Sequence, residues 1–157
     1  MNLRWALKGK LSAKELSLMH NSYDVVGRIA IIDIPNGLKK KEKLIASAIL
    51  SNHKNIKSVF KKQGKVSGRL RTRKIKWVLG EKNKETEHHE SGCRFKLNVE
   101  TSYFSPRLSN DRLAISKHVG KEETVLVMFS GVGPYPIVIA KHSQANEVYG
   151  IELGKEA

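Results

Sequence analysis

Three groups of residues have the types and spacing that chemistry on a bound molecule requires. The first is a carboxylate between cations: Asp111 follows Arg107 by four residues and directly precedes Arg112. On a helix this spacing places Arg107 beside Asp111, which is usually a surface ion pair that contributes little stability. The same arrangement suits a general base, because a carboxylate held by cations can remove a proton from a substrate. The spacing alone favours the surface pair and leaves both interpretations open.

The second group is a glycine-containing turn, SGVG (130–133), which follows the apolar run VLVMF (125–129). Glycines at the end of a buried strand let the backbone approach a ligand, and the next helix begins with its positive dipole end. Glu152 ends the following apolar segment, where an acid can accept hydrogen bonds from a ribose diol. A solvated strand end would look the same, but the combination of turn and acid predicts nucleotide or nucleoside binding.

The third group is the basic run RLRTRK (69–74). If residues 69–79 form a strand, its alternation places Arg69, Arg71 and Arg73 on one face. Such a face is most simply a binding site for phosphates. The alternative is a solvated edge strand that its charges protect from pairing.

Two further features each have a structural and a functional interpretation. His88, His89 and Cys93 superficially suggest a metal site, but their spacing fits no standard zinc pattern and a second ligand pair is missing. A hydrogen-bonded turn is therefore favoured, and no metal is predicted. Tyr103 and Phe104 could stack on a nucleic-acid base or belong to the core.

Composition bounds the class of protein. The chain has 157 residues, a formal net charge of +14 and a pI near 10.0. A field of that size attracts polyanions, of which nucleic acid is the commonest, although a ribosome-associated protein without chemistry would share it. The single cysteine excludes an intrachain disulfide and fits a reducing cytoplasm. With neither a signal peptide nor about 20 consecutive apolar residues, the chain is expected to be soluble.

The elements that must position these groups fall into two sets. The first set predicts an α+β domain with a mixed or antiparallel sheet. Its predicted helices are 11–18 and 38–50, and its predicted strands are 25–34, 56–60, 69–79 and 95–99. At the start of the first helix, Ser12 and Glu15 have the spacing of a capping box. The second set begins after Pro106 and comprises helix 109–119 with Leu113 and Ile115 facing inward, a strand at 125–129 buried on both faces, helix 137–140 and strand 148–153. Strand, glycine turn, helix and strand form a βαβ unit of the doubly wound class. An open α/β sheet needs more than two strands, so we expect this one to be incomplete.

Four segments of the chain resemble the archaeal and eukaryotic-type tRNA (guanine-37-N1)-methyltransferases: residues 22–35, 69–81, 86–112 and 128–141. The related wybutosine-pathway aminocarboxypropyl transferase shares this architecture, but the PRL of SPRLSNDR (105–112) favours the methyltransferase. The resemblance implies an N-terminal domain that touches the tRNA elbow, a second RNA-binding domain and a class I methyltransferase domain with a Rossmann-like fold. Residues 1–21 are then a remnant of the first, 22–105 the second and 106–157 an incomplete copy of the third.

The resemblance also implies a reaction, the transfer of a methyl group from S-adenosylmethionine to N1 of the guanine that lies 3′ of the anticodon. Arg71 matches the arginine that holds the guanine carbonyl, Asp111 stands where the family has a general-base glutamate, and Arg107 matches an arginine that braces the site. Tyr103 matches an aromatic residue near the target base. The implied cofactor contacts are Arg112, Phe129, Ser130, Gly131, Gly133, Glu152 and Leu153, and the implied tRNA contacts are Arg69, Arg71, Arg73, Lys74 and Tyr103.

This sequence departs from the family pattern in three ways. Asp111 is one methylene shorter than the usual glutamate, and a misplacement of about 1 Å can cost about a hundredfold in rate. Val127 replaces an acidic residue, and the Asn-Pro motif of the later strands is missing. We therefore expect a monomeric, cytoplasmic copy that is inactive as an isolated chain. The alternatives are a non-enzymatic tRNA-binding fragment, which Val127 favours, and the aminocarboxypropyl transferase.

Overall fold

The chain is described by a computed structural model that covers residues 3–64, 68 and 72–155. These residues form two compact units. The first unit contains residues 3–64 and 73–84, and the second contains residues 68, 72 and 85–155. Each unit builds its own sheets and helices.

The first unit is an α+β domain. Its strands are β1 (Asp24–Val26), β2 (Ile29–Ile32), β3 (Ser58–Lys62) and β4 (Ile75–Gly80), and its helices are α1 (Leu3–Ala6), α2 (Ala13–Leu18), a 3-10 helix (Asn36–Lys41) and α3 (Glu42–Asn52). The four strands form one sheet in the order β1-β2-β3-β4. Strands β1 and β2 are antiparallel, β2 and β3 are parallel, and β3 and β4 are antiparallel, which confirms the predicted mixed sheet.

The core of the first unit lies between the sheet and its helices. Helix α3 buries one apolar face, and the N-terminal segment adds side chains to the same cluster, whose members include Leu3, Leu7, Leu11, Met19, Ala30, Ile32, Ile45, Ile49, Val59 and Val78. Residues 3–19 are thus part of this core, whereas the sequence analysis assigned 1–21 to a separate domain. The predicted capping box is confirmed, because Ser12 Oγ accepts from the Glu15 amide while the Ser12 amide donates to the Glu15 carboxylate.

Two predicted strands of this unit differ in the structure. Residues 25–34 were predicted as one strand but form the β1–β2 hairpin, because Gly27 adopts a φ of 54° and reverses the chain. Strand β4 begins only at Ile75, so Arg73 precedes it, whereas residues 69–79 were predicted as one strand. Arg69 and Arg71 lie outside the described residues.

The second unit contains a hairpin and a βαβ element. Its elements are β5 (Glu85–Glu90), β6 (Cys93–Asn98), a 3-10 helix (Pro106–Leu108), α4 (Ser109–His118), β7 (Thr124–Met128), α5 (Pro134–His142) and β8 (Glu147–Ile151). Strands β5 and β6 form an antiparallel hairpin with a two-residue turn at Ser91 and Gly92. Strands β7 and β8 pair in parallel and α5 connects them, which confirms the predicted Rossmann-like start.

The hairpin belongs with the second unit, whereas the sequence analysis placed the domain boundary after residue 105. The last turn of α5 explains this grouping, because it donates hydrogen bonds to the hairpin turn. Lys141 Nζ lies 2.6 Å from the Gly92 carbonyl oxygen, and His142 Nε2 lies 2.6 Å from the Ser91 carbonyl oxygen. The hairpin is therefore fixed on the helix that follows the glycine turn.

One face of the two-stranded parallel sheet is covered and the other is bare. Residues paired across β7 and β8 share a face, and the Gly150 side of the sheet approaches Pro136 of α5. The opposite face leaves half or more of four large side chains exposed, namely those of Leu126, Met128, Tyr149 and Ile151. The prediction that this strand is buried on both faces is therefore wrong for the described chain, because only α5 packs on it.

Helix α4 also differs from its predicted orientation. Its bounds match the prediction closely, but its buried residues are Arg112 and Ser116. Ile115, which was predicted to face inward, is 44% exposed. The helix thus turns a polar side toward the interior of its unit. Among the described residues, no helix has the length and apolar character needed to cross a membrane.

Candidate functional site

The glycine turn lies at the carboxyl end of β7, the edge where open α/β sheets bind ligands. Phe129, Gly131 and Gly133 have φ values of 57°, 57° and 78°, so three of the five residues after β7 are left-handed. Two of them are glycines, which adopt this conformation without steric cost. Phe129 is not, and its ring is 85% exposed. A strained and exposed aromatic residue at a sheet edge is a feature that clusters at binding sites.

Glu152 faces this turn from the end of β8. Its Oε2 accepts from the Gly131 amide at 2.7 Å, and its Oε1 accepts from the Gly154 amide at 2.7 Å. The Gly154 hydrogen bond, followed by that of Gly131, lowers the pKa of the Glu152 carboxyl from its usual value. The result is an ionised carboxylate that links the two strand ends and keeps further lone pairs on each oxygen.

The segment before α4 approaches the same turn. The Tyr103 carbonyl oxygen lies 3.4 Å from the position that a Cβ atom on Gly131 would occupy, which is van der Waals contact. The Tyr103 ring is 52% exposed, while the adjacent Phe104 packs at 5.8 Å from Phe95 and 4.9 Å from His88 between ring centroids. The two residues therefore differ. Tyr103 is available at the surface for stacking, whereas Phe104 packs against the core residue Phe95.

The predicted base lies on the next element. Asp111 is exposed in the first turn of α4, where the helix dipole favours a negative charge. Arg107 is exposed in the 3-10 helix that leads into α4. Both side chains therefore follow Tyr103 along a short segment that begins beside the glycine turn.

Arg112 was predicted to contact the cofactor, but in the structure its partners are protein groups. Its guanidinium donates to the two carboxylate oxygens of Glu90 at 2.5 and 2.7 Å and to the Ser105 carbonyl oxygen at 3.0 Å. Only 1% of its side chain is exposed. In this structure Arg112 is an internal residue, since its donors are directed at protein acceptors.

Sequence reasoning missed Glu90 as a site residue. The available signal was the alternation of the hairpin, because Cys93, Phe95 and Leu97 all face inward and Glu90 pairs directly with Cys93. A carboxylate at an inward position requires a cation, since burying an unpaired charge is very costly. The missing information was the identity of that cation, which lies 22 residues further along the chain.

The histidines beside Glu90 do not assemble a metal site in the structure. His88 and His89 lie on β5, and Cys93 begins β6 after the Ser91–Gly92 turn. In the part of the chain that the structure describes, no group of three histidine, cysteine or acidic side chains could hold a metal ion. The favoured interpretation of a hydrogen-bonded turn corresponds to the tip of this hairpin.

Four of the five predicted tRNA-contacting residues lie in the most basic part of the sequence, namely Arg69, Arg71, Arg73 and Lys74. Residues 1–84 contain 21 of the 29 lysines and arginines but only 5 of the 15 acidic residues, a net charge of +16. Residues 85–157 carry a net charge of −2. Lys74 is exposed and Arg73 is partly buried in the segment before β4. The polyanion-attracting field therefore arises in the first 84 residues.

Comparison with known proteins assigns both units. Residues 86–157 match the family described as the TRM5/TYW2 methyltransferase domain, and residues 3–83 match the TYW2 N-terminal domain. The chain belongs to the TRM5/TYW2 family. The matches meet where the chain passes from the first unit to the second, between residues 84 and 85, although residues 68 and 72 fall within the first match and belong to the second unit.

The similar proteins are longer than this chain. The tRNA (guanine(37)-N(1))-methyltransferase Trm5b of Pyrococcus abyssi is 46% identical over 123 residues, which are 78% of this chain and 37% of that protein. The structure of aTrm5 in complex with tRNALeu has a TM-score of 0.87 at 31% identity and covers 100% of this chain and 46% of its own. Methanocaldococcus jannaschii Trm5 in complex with adenosine has a TM-score of 0.79 at 31% identity, with coverages of 98% and 45%. This TRM5/TYW2 chain thus spans less than half of each relative.

Proposed function

We propose that this TRM5/TYW2 chain is the tRNA-binding and cofactor-binding part of a tRNA (guanine-37-N1)-methyltransferase. The observation that carries this proposal is the arrangement at the carboxyl edge of the parallel strands. There the glycine turn bonds to Glu152, and the Tyr103 segment that leads to Asp111 lies against the turn. The similarity to Trm5b, and to a Trm5 solved with adenosine, supports the same assignment.

The residues at this edge fit S-adenosylmethionine. Exposed apolar side chains of Phe129 (85%) and Leu153 (63%) suit the adenine ring, and the Glu152 carboxylate suits the ribose hydroxyls. When bound, this cofactor supplies an electrophilic methyl group. The residues that we propose hold it are Phe129, Ser130, Gly131, Gly133, Glu152 and Leu153.

The chain's own residues then handle the guanine. We assign Asp111 to accept the N1 proton, because its carboxylate is exposed and stands at a helix N-terminus. Arg71 would hold the guanine O6, where negative charge develops as the N1 proton leaves. Arg107 would brace this arrangement, and Tyr103 would stack against the base with its exposed ring.

We further propose that this stretch of chain does not methylate tRNA by itself. The bare face of β7 and β8 exposes apolar side chains that an α/β protein covers with a second layer of helices. Cofactor sites in such folds also use groups from several strand ends. We propose that the complete enzyme acts as a monomer in the cytoplasm. The basic first unit is consistent with tRNA as its substrate.

The test joins this chain to the remaining part of the Pyrococcus abyssi Trm5b methyltransferase domain. The fused protein, called the chimaera below, should form N1-methylguanine at position 37 of unmodified tRNA, measured by mass spectrometry of the digested RNA. The 157-residue chain and a tRNA with adenine at position 37 are the controls, and both should stay unmethylated. A folded chimaera that binds tRNA and S-adenosylmethionine but transfers no methyl group would refute the assignment.

A second candidate is the related aminocarboxypropyl transfer of the wybutosine pathway. The match of residues 3–83 to the TYW2 N-terminal domain favours it. The PRL segment at Pro106–Leu108 and the identity to Trm5b disfavour it. The same digest distinguishes the two, because the transferred groups differ in mass. A tRNA-binding protein without activity is the third candidate, which Val127 favours, and it predicts binding with no product of either mass.

A further inference from the structure

The guanidinium of Arg112 is enclosed on all sides within the second unit. Its Nε and Nη2 donate to the two oxygens of the Glu90 carboxylate, and Nη2 also donates to the Ser105 carbonyl oxygen. The rings of Phe104 and Tyr135 lie 5.2 and 5.6 Å from its Cζ atom. The guanidinium thus has a bidentate ion pair in its plane and two aromatic rings within cation–π distance.

The residues that enclose Arg112 come from three segments, two of which adjoin the proposed site. Glu90 ends β5, and Phe104 with Ser105 follows Tyr103 in the segment that touches the glycine turn. Arg112 itself directly follows Asp111 on α4, and Tyr135 lies in the first turn of α5, just after the glycine turn. The contacts of Arg112 therefore connect the helix of the proposed base to the β5–β6 hairpin and to the first turn of α5, which follows the glycine turn.

Helix α4 packs against α5, but the side that it buries is polar. Its buried residues are Arg112 and Ser116, and Ile115 is 44% exposed. An apolar face can slide and repack at small cost, whereas a bidentate arginine–carboxylate pair sets both distance and angle. Such a pair is a weak source of stability, because apolar residues of similar volume often replace it without loss. Its distinctive contribution is therefore orientation.

We propose that the Glu90–Arg112 pair is a positioning pair for the methyl transfer, which holds Asp111 and Arg107 at a fixed place relative to the glycine turn. This inference rests on the proposed function. Neither member of the pair contacts substrate, since the side chains are 4% and 1% exposed. Both act through α4, and Arg112 is a positioning residue where the family resemblance implied a cofactor contact.

The test uses the chimaera defined above and two variants. The double variant Glu90→Leu/Arg112→Met removes both charges together, and Arg112→Lys keeps the charge but loses the bidentate geometry. Both should keep a folded protein and unchanged KM for S-adenosylmethionine, while kcat falls by about tenfold to a hundredfold. The matched control is Lys117→Met, an exposed charge on the same helix, which should leave kcat unchanged.

Two results would overturn the inference. Full turnover in the Arg112→Lys variant would show that the pair is only structural. A higher KM for S-adenosylmethionine at unchanged kcat would make Arg112 a cofactor ligand. Because Arg112→Lys retains the ion pair, it should fold even where the double variant does not. Its kcat and KM then decide the test.

If the unmodified chimaera is inactive, the proposed function fails, but the positioning role can still be measured in the 157-residue chain. Hydrogen exchange then compares the amides of α4 with those of α5. Arg112→Lys should speed exchange in α4 by about tenfold relative to α5, because the helix loses its directional anchor. Equal changes in both helices would contradict a positioning role.

Discussion

At the scale of single residues, Asp111 separates the enzymatic interpretation from the structural one. If it is only a surface charge, Asp111→Asn should change stability by less than about 1 kcal/mol and nothing else. If it is the base, the same change in the chimaera should lower turnover by about a hundredfold, the usual scale for loss of a general base, and leave tRNA affinity unchanged. Asp111→Glu should raise turnover, because it restores the reach that the resembling family uses.

The control for this series is Asn110→Ala, which alters the exposed neighbour of Asp111 on the same helix. It should leave turnover and affinity as they are. Turnover is measured as the initial rate of labelled methyl transfer to unmodified tRNA. Equal rates with Asp and Asn at position 111 would remove the base assignment and leave only binding roles for this unit.

Glu152 gives a prediction that does not depend on catalysis. Its hydrogen bonds from Gly154 and Gly131 lower its pKa in the folded state. The stability that these hydrogen bonds contribute is complete above the unfolded pKa of about 4.3. It is lost as the pH falls through the lower pKa of the folded state. The amide proton shifts of Gly131 and Gly154 should therefore titrate together below the usual range of a glutamate. Glu152→Gln should abolish this titration and Glu147→Gln should not, and independent titration of the two amides would contradict the linkage.

At the scale of elements, the end of β4 depends on a single glycine. Gly80 has a φ of 87°, and a Cβ atom there would lie 2.1 Å from the Lys57 carbonyl oxygen. Gly80→Ala should destabilise the protein by about 1–3 kcal/mol more than Gly9→Ala, because the backbone must shift as well as strain. Gly9 is a matched control, since its φ is 81° and nothing lies within 4 Å of its Cβ position. Urea denaturation measures both, and equal losses would show that the strand end adjusts freely.

The β5–β6 hairpin carries a histidine that should make its unit sensitive to acid. Burial is the main cause that lowers the pKa of His88, and the nearby Arg112 adds to it, while Glu90 opposes them. The unfolded chain therefore takes up a proton near pH 6.5 that the folded chain takes up only at lower pH. Stability should fall as the pH is lowered from 7.5 to 5.5, and His88→Gln should reduce this slope. The exposed His20 serves as control through His20→Gln, and an unchanged slope in His88→Gln would contradict the expected effect of burial.

The elements that the sequence predicted well are those whose pattern is local. Helix α3 and the βαβ element each show an apolar periodicity that survives in the structure. Strand β5 was missed because ETEHHE has no apolar alternation, and only its pairing with β6 makes it a strand. The glycine turn and Glu152 were found together because both follow predicted strands. The Glu90–Arg112 contact could not be found, because it depends on how a hairpin packs on a helix.

At the scale of the whole molecule, charge is unevenly distributed along the chain. Residues 1–84 carry a net charge of +16 and residues 85–157 carry −2. The phosphate backbone should therefore be held chiefly by the first part of the chain, while the second part presents the chemistry to one base. Phosphate contacts position a nucleic acid without reading its sequence. Under the proposed function, we expect the choice of the target guanine to depend on Asp111 and Arg71.

This division predicts how tRNA binding responds to salt. Each phosphate contact that is lost should reduce the log–log slope of affinity against salt by about 0.7–0.9, because fewer counterions are released on binding. The triple variant Arg69→Ala/Arg71→Ala/Arg73→Ala should thus flatten the slope measured by filter binding of tRNA to the 157-residue chain. The matched control removes three exposed lysines of the second unit by Lys117→Ala/Lys121→Ala/Lys155→Ala and should leave the slope nearly unchanged. If both triple variants flatten the slope equally, net charge alone explains the binding and the arginine run is not part of the tRNA footprint.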